Sequence, residues 1–259
     1  MAKTILVTGG TGTLGRAVVT RLVAAGAEVR VASRGAEPTE GQRPYTWHMV
    51  DYRTGAGVDD AVAGVDVIVH CVTGMRTEAD VTRRLATAAL AAGGPHLVYI
   101  SIVGVDKVPF GYYRGKLAAE QVVRASGLPW TIQRATQFHG FVLAGIRALA
   151  RLPIMPVPTG IRVQTIDVGE VADRLVEQAL GEPAGAAPDL GGPAVQDFAD
   201  LTRAYFQATG RSRPMLPIRL PGKVVRTVRA GGLTTPEHAE GRISFAEFLT
   251  NTPLTGARK

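Results

Sequence analysis

The stretch TILVTGGTGTLGRAVVTRLVAAG, residues 4 to 26, limits most tightly what this chain can fold into. An apolar, β-prone run leads in, glycines follow at 9, 10, 12 and 15, and a helix-forming run leads out. Within it lie Gly10-Thr11-Gly12-Thr13-Leu14-Gly15, a G-x-G-x-x-G, and an overlapping Gly9-x-x-Gly12-x-x-Gly15. Glycines so spaced allow a tight strand-to-helix turn and let a diphosphate meet the backbone where a helix N-terminus faces it. Gly9, Gly10, Thr11, Gly12, Thr13, Leu14 and Gly15 are therefore expected to bind the phosphates of a dinucleotide.

The surrounding pattern agrees with that turn. Short β-rich runs at 3–7, 28–33, 46–50, 65–71, 97–101 and 130–134 alternate with helical runs at 15–25, 57–63, 78–92 and 112–126. Each helical run is closed by a nearby glycine, namely Gly26, Gly64, Gly93 and Gly127. Strands alternating with helices predict an α/β chain, a Rossmann-like doubly wound parallel sheet. Beyond Phe141 prolines cluster at 153, 156 and 158, and QTIDVGEVADRLVEQAL reads as a short strand entering a helix. The expected organisation is a nucleotide-binding core over 1–139 and a small C-terminal substrate lobe over 140–259, packed as one unit.

A dinucleotide site also needs a ribose reader at the end of the second strand, where a carboxylate favours NAD and a cation favours NADP. That segment is VRVASRGAEP, with Ser33 and Arg34 and no carboxylate before Glu37. NADP(H) is the expected cofactor. Asp51, directly after the third strand, is positioned either to contact the adenine amino group or to cap a turn.

Composition excludes several other classes. The single cysteine, Cys71, rules out an internal disulfide, and five scattered histidines lack ligand spacing, so no metal is expected. Lys and Arg exceed Asp and Glu by 29 to 22, but no basic stripe interleaved with aromatics is present, so nucleic acid is not an expected partner. No apolar run reaches the roughly 18 residues of a membrane span and the start lacks a signal-peptide pattern. A cytoplasmic protein with no membrane partner is expected, while oligomeric state is not legible.

FGYYRGKLAAEQ, residues 110 to 121, places Tyr112 and Tyr113 four and three residues ahead of Lys116, so either tyrosine can share a helical face with the lysine. A phenol with a reference pKa near 10 serves proton transfer at neutral pH only with a cation nearby.

TGGTGTLG, the aspartate after strand three, VIVHCVTG, YISIVGV and YYRGKLAAEQ together resemble the short-chain dehydrogenase/reductase superfamily, and within it the atypical NmrA-like NAD(P)-binding branch. GPAVQDFADLTRAYFQATGR and RISFAEFL are similar to that branch's C-terminal lobe, so the resemblance covers nearly the whole chain. It implies that Tyr112, in the Tyr-x-x-x-Lys register, donates a proton to a carbonyl oxygen, and that Lys116 binds the nicotinamide ribose and lowers the Tyr112 pKa. A serine or threonine usually completes such a site just after the fifth strand. Here the register places Ile102 there, which leaves Ser101 as the candidate, or as a bare strand-end serine. The resemblance further implies that Cys71, Val72 and Thr73 line the cofactor and that Ala135 and Thr136 lie near nicotinamide. Cys71 reads equally as a small buried strand residue. Met75, Phe110, Phe138 and Phe141 form a candidate apolar pocket for a hydrophobic small-molecule substrate. His139 is placed to orient its carbonyl, or to serve as a hydrogen-bonded loop residue.

The expected activity is an NADPH-dependent reduction of a hydrophobic carbonyl or quinone. A redox sensor that binds NADP(H) without turnover, or a nucleotide-sugar epimerase with tightly held NAD, is compatible with the same loop.

Overall fold

The computed structural model of the chain describes residues 2–37, 43–74 and 77–253. The first half alternates as the sequence predicts: β1 (Thr4–Thr8), α1 (Thr13–Ala24), β2 (Glu28–Ser33), β3 (Thr46–Met49), α2 (Val58–Val62), β4 (Val67–His70), α3 (Glu78–Ala91), β5 (His96–Ile102), α4 (Gly111–Arg124) and β6 (Trp130–Ala135). There follow α5 (His139–Leu149), β7 (Met155–Pro158), β8 (Arg162–Val163), α6 (Val168–Leu180), β9 (Gly185–Ala186), β10 (Gln196–Asp197), α7 (Phe198–Thr209), β11 (Met215–Ile218), α8 (Lys223–Arg229) and α9 (Phe245–Asn251).

Contacts divide the chain into two compact units that interleave along the sequence. The first comprises residues 1–101, 111–134 and 168–188, and the second 102–110, 135–167 and 189–259.

The central sheet has seven strands in the order β3-β2-β1-β4-β5-β6-β9, with parallel registers such as Thr8↔Ala32 between β1 and β2 and Thr8↔His70 between β1 and β4. The direction of winding reverses between β1 and β4, the switch point outside whose carboxyl ends doubly wound sheets bind ligands. Alternate strand residues Leu6, Ile68, Leu97, Tyr99 and Ile132 pack with Leu85, Ala89, Ala119 and Val123 of α3 and α4 in one buried cluster. On α1 the buried set Leu14, Val18, Val19 and Leu22 is the one-faced stripe of an amphipathic helix, and α1 packs against α6. The four glycines expected to close helices all have positive φ: Gly26 at 77°, Gly64 at 64°, Gly93 at 117° and Gly127 at 76°. There glycine escapes the steric cost that other residues meet in left-handed backbone.

Two differences from the sequence reading have physical causes. The two-residue strand β9 lies inside GEPAGAAPDLGGP, where prolines and glycines hide any period-2 signal, yet it pairs in parallel with Thr131 and Ile132. The short strand read at the start of QTIDVGEVADRLVEQAL is reduced to one parallel bridge, Ile166 to Phe138, with the paired strand just ahead of it at Arg162–Val163, where Gln164 turns its amide into buried bonds with the Gly192 and Thr235 carbonyls.

In the second unit, α5, α7 and α9 enclose a cluster that includes Ile146, Met155, Leu201, Tyr205, Phe245 and Leu249. RISFAEFL forms α9 through a capping box. The Ser244 hydroxyl accepts from Glu247 N at 3.2 Å while Ser244 N donates to Glu247 Oε2 at 2.7 Å. No described helix is long and apolar enough to cross a membrane.

Leu97→Ala removes a fully buried side chain from β5 and is expected to lower the unfolding free energy by about 3 kcal/mol in urea titration. Leu216→Ala, at a position 53% exposed, changes it by less than about 0.5 kcal/mol.

Candidate active site

The glycine loop closes on itself at the end of β1. Gly12 N donates to the Gly9 carbonyl at 2.9 Å, and Gly9 sits at φ 66°. A Cβ at Gly9 would stand 2.9 Å from the Cys71 carbonyl carbon, and one at Gly15 would stand 2.1 Å from the Gly9 carbonyl oxygen. Glycine at both positions is thus a packing requirement, with the first turn of α1 lying against the loop. The helix N-cap is Gly12, with no side-chain cap and no acidic residue in the first turn. Thr11, Gly12 and Thr13 are exposed. Uncapped helix N–H groups at the positive end of a helix dipole fit a diphosphate, and no local carboxylate competes for them.

At the end of β2, Ser33 is half-buried and Arg34 exposed, without an ion pair to a described residue. The backbone beside them is held by the Trp47 indole N–H, which donates to the Gly35 carbonyl at 3.2 Å. Asp51 caps a turn, its Oδ1 accepting from Arg53 N at 2.8 Å, and that bond above all lowers its carboxyl pKa. The backbones of Cys71 and Val72 lie against Gly9. Burial pushes the Cys71 thiol up to about 12, so it is no thiolate nucleophile.

Beyond β4 the side chains converge on one carboxylate that motif reading did not identify. Glu78, at the first position of α3, is 1% exposed. Its Oε1 takes Lys116 Nζ at 2.7 Å and the Tyr99 hydroxyl at 2.7 Å; its Oε2 takes Thr73 Oγ1 at 3.4 Å and Gly74 N at 3.2 Å. Lys116, 3% exposed, donates also to the Ile100 carbonyl at 2.9 Å and stands 4.9 Å from the centre of the Tyr99 ring. Two buried opposite charges supplied with this many bonds can repay their desolvation. Burial, then the Glu78 charge, hold the Tyr99 phenol well above its ordinary pKa, so it serves as a donor.

Tyr112 is half-buried, and its hydroxyl lies 3.0 Å from Thr73 Oγ1. Lys116 does not bond it directly: the lysine reaches Glu78, and Glu78 reaches Thr73. Tyr113 is 8% exposed and packs edge-on against Tyr112 at 6.1 Å.

His70, at the end of β4, is neutral by construction. The Thr82 hydroxyl gives its proton to the Glu78 backbone carbonyl at 2.8 Å, so it accepts from His70 Nε2 at 3.1 Å, and Nδ1 accepts from Thr8 at 2.6 Å. Burial, assisted by the Lys116 charge, lowers the His70 pKa to about 3.

Ser101 is 2% exposed, its hydroxyl has no partner at hydrogen-bonding geometry, and its influence falls on Glu120. It is not brought to Tyr112. Burial acts most strongly and raises the Glu120 pKa, but Arg134, paired through both its Nε and Nη2 at 2.8 Å, together with Ser101 and Arg124 outweighs it and holds the carboxyl below the usual range.

In the second unit, both His139 ring nitrogens are occupied: Nε2 donates to the Ile243 carbonyl at 2.9 Å and Nδ1 accepts from Thr165 at 2.8 Å. At 1% exposure, with its ring against Phe245 and Phe248, this histidine ties α5 to α9 and is the hydrogen-bonded alternative of the sequence reading. Ala135 and Thr136 are buried, and Thr136 Oγ1 accepts from Gly192 N at 3.2 Å. Phe138 is half-buried, while Phe110 and Phe141 are 53% and 73% exposed. Met75 lies outside the described residues.

Residues 9–179 match a family described as NAD(P)H-binding. The chain belongs to that family. Among curated proteins this NAD(P)H-binding chain is 38% identical over 221 residues to the (4-alkanoyl-5-oxo-2,5-dihydrofuran-3-yl)methyl phosphate reductase of Streptomyces griseus, covering 80% of this chain and 74% of that one. It is 29% identical to the NAD(P)H azoreductase of Xenophilus azovorans over 80% of this chain and 74% of that one. An NADPH-dependent quinone oxidoreductase of Escherichia coli, crystallised with NADPH, shares the fold with a TM-score of 0.81 at 18% identity, over 95% of this chain and 99% of that one. The family and the reductase relatives together make this protein an NAD(P)H-dependent oxidoreductase.

Gly15→Ala is expected to weaken NAD(P)H binding more than about 100-fold in calorimetric titration, because the added methyl must displace the Gly9 carbonyl, at about 1–3 kcal/mol of packing strain besides. His70 supplies a pH test. The unfolded histidine binds its proton near pH 6.5 and the folded one near 3, so stability falls as pH drops below 6.5. This one group is expected to remove about 2 kcal/mol between pH 7 and 5, read as the difference between wild type and His70→Gln in urea titrations at both pH values.

Proposed function

We propose that the protein is an NADPH-dependent reductase of a hydrophobic carbonyl or quinone-type small molecule, with Tyr112 as proton donor. The observation that carries the reading is the half-buried Tyr112 hydroxyl, bonded to Thr73 at the end of the segment that leaves β4, beside the switch point where the glycine loop lies. When bound, the reduced nicotinamide supplies the hydride. The loop amides of residues 9–15 hold its diphosphate, and Arg34 with Ser33 takes the ribose phosphate that distinguishes NADPH. Tyr112 gives its proton to the substrate oxygen. Lys116 holds the local charge balance through Glu78. Substrate selection is assigned to the part of 140–259 that lies in the second unit, since 168–188, with α6 and β9, belong to the first.

Relatives named as reductases of a furanone phosphate and of azo compounds, and a structural neighbour named as a quinone oxidoreductase, support a conjugated, electron-poor acceptor. The engagement of Lys116 with Glu78 rather than with Tyr112 favours a second reading, a redox sensor that holds NADP(H) without turning it over.

Tyr112→Phe is expected to lower kcat on an accepted quinone or carbonyl by at least about 100-fold while leaving NADPH affinity within about threefold. Turnover at the wild-type rate would remove Tyr112 from the mechanism, and no NADPH consumption by the wild type across a quinone, carbonyl and azo panel would favour the sensor. Arg34→Ala is expected to weaken NADPH about 10- to 100-fold, the worth of a charge-assisted bond, and to leave NADH unchanged.

A further inference from the structure

Tyr112 needs a hydroxyl partner, and the position the resembling family would use is Ile102 in this chain. Ser101 does not replace it, since its buried hydroxyl acts on Glu120. The hydroxyl at Tyr112 is that of Thr73, 3.0 Å away, and it comes from the end of a different strand.

Thr73 has one proton to give. It is directed to Glu78 Oε2 across 3.4 Å, a long bond, while the Gly74 N–H donates to the same oxygen at 3.2 Å. The other carboxylate oxygen is committed to Lys116 and Tyr99. Glu78 is therefore held through Oε1 by two side chains remote from Thr73 and through Oε2 by the backbone of the residue that follows it, so the long bond to the Thr73 hydroxyl is the one most easily exchanged, by rotation of that hydroxyl.

We propose that Thr73 is the hydroxyl partner of Tyr112 in catalysis and that Glu78 is its positioning residue. The proposal rests on Tyr112 being the proton donor. In the resting site the Thr73 hydroxyl points to Glu78, so Tyr112 donates to Thr73 Oγ1, and that proton is redirected to the substrate oxygen when substrate is present. As the Tyr112 O–H bond breaks and the substrate O–H bond forms, the Thr73 hydroxyl turns from Glu78 to the new phenolate and stabilises it. Solvent water then returns a proton to Tyr112, and the Thr73 hydroxyl turns back. Glu78 remains a carboxylate and Lys116 an ammonium throughout. The titratable and charged groups around this pair are Glu78 of α3, which faces Thr73, Lys116 on the same helix as Tyr112, the Tyr99 phenol of β5 and, beyond the lysine, the neutral His70 of β4.

The test uses the purified full chain and four variants, Thr73→Val, Thr73→Ser, Glu78→Gln and Tyr112→Phe. Tyr112 ionisation is followed by NMR of Cζ-labelled tyrosine and assigned by its absence in Tyr112→Phe. NADPH oxidation is followed with the best acceptor of a quinone and carbonyl panel. Thr73→Val is expected to raise the Tyr112 pKa, to move the alkaline limb of kcat to higher pH, and to lower kcat about tenfold at saturating NADPH. Thr73→Ser restores all three. Glu78→Gln leaves Lys116 unpaired and moves the Tyr112 pKa the opposite way, downward, a response that a purely structural carboxylate would not give. Wild-type rate and ionisation in Thr73→Val overturn the proposal, and an unmoved Tyr112 pKa in Glu78→Gln overturns the role of Glu78. A fully active Tyr112→Phe would instead overturn the preceding reading, and with it the premise of this one.

Discussion

The closest approach in the molecule that matters for function is the one between Gly15 and the carbonyl of Gly9. A side chain at position 15 would occupy space 2.1 Å from that oxygen, so the first turn of α1 can rest on the loop only where no Cβ exists. This contact aims the helix N-terminus along the carboxyl end of β1. It also keeps the N-terminal amides free, because the N-cap is a glycine with no side chain to satisfy them. A helix end left without a cap costs stability, and a bound diphosphate is the natural acceptor for it.

A second polar centre lies near that loop in the same unit. Glu78 gathers Lys116, Tyr99, Thr73 and the Gly74 amide onto a single buried carboxylate. Lys116 is therefore held by its own ion pair and by the Ile100 carbonyl, with no hydrogen bond to Tyr112. Breaking such a pair from one side leaves an uncompensated charge, at about 3–5 kcal/mol, whereas the intact group is balanced. The arrangement keeps a cation near a phenol in a buried setting without leaving either charge alone.

Much of the core was legible because its signals are local. The loop glycines, the positive-φ glycines beyond α1, α2, α3 and α4, and strands β1 to β6 follow from steric rules that act within a few residues. Glu78 was not legible as a site residue. In the sequence it is one more acid in the first turn of a helix, and only the folding of β5 and α4 beside it brings Tyr99 and Lys116 to its oxygens. Thr73 was legible as a residue at the end of the fourth strand, but not as a neighbour of Tyr112, which is 39 positions away. Ser101 and His139 were each legible in two ways, as site residues or as a bare strand-end serine and a hydrogen-bonded histidine, and both side chains are turned into buried surroundings that a linear pattern does not record.

The account stands on a pyridine nucleotide being held by the backbone around residues 9–15. Isothermal titration of the purified, folded chain with NADPH and separately with NADH tests this most directly. Saturable binding of one nucleotide per chain is the predicted result, tighter for NADPH. An absence of heat and of any thermal stabilisation with either nucleotide at millimolar concentration would contradict it.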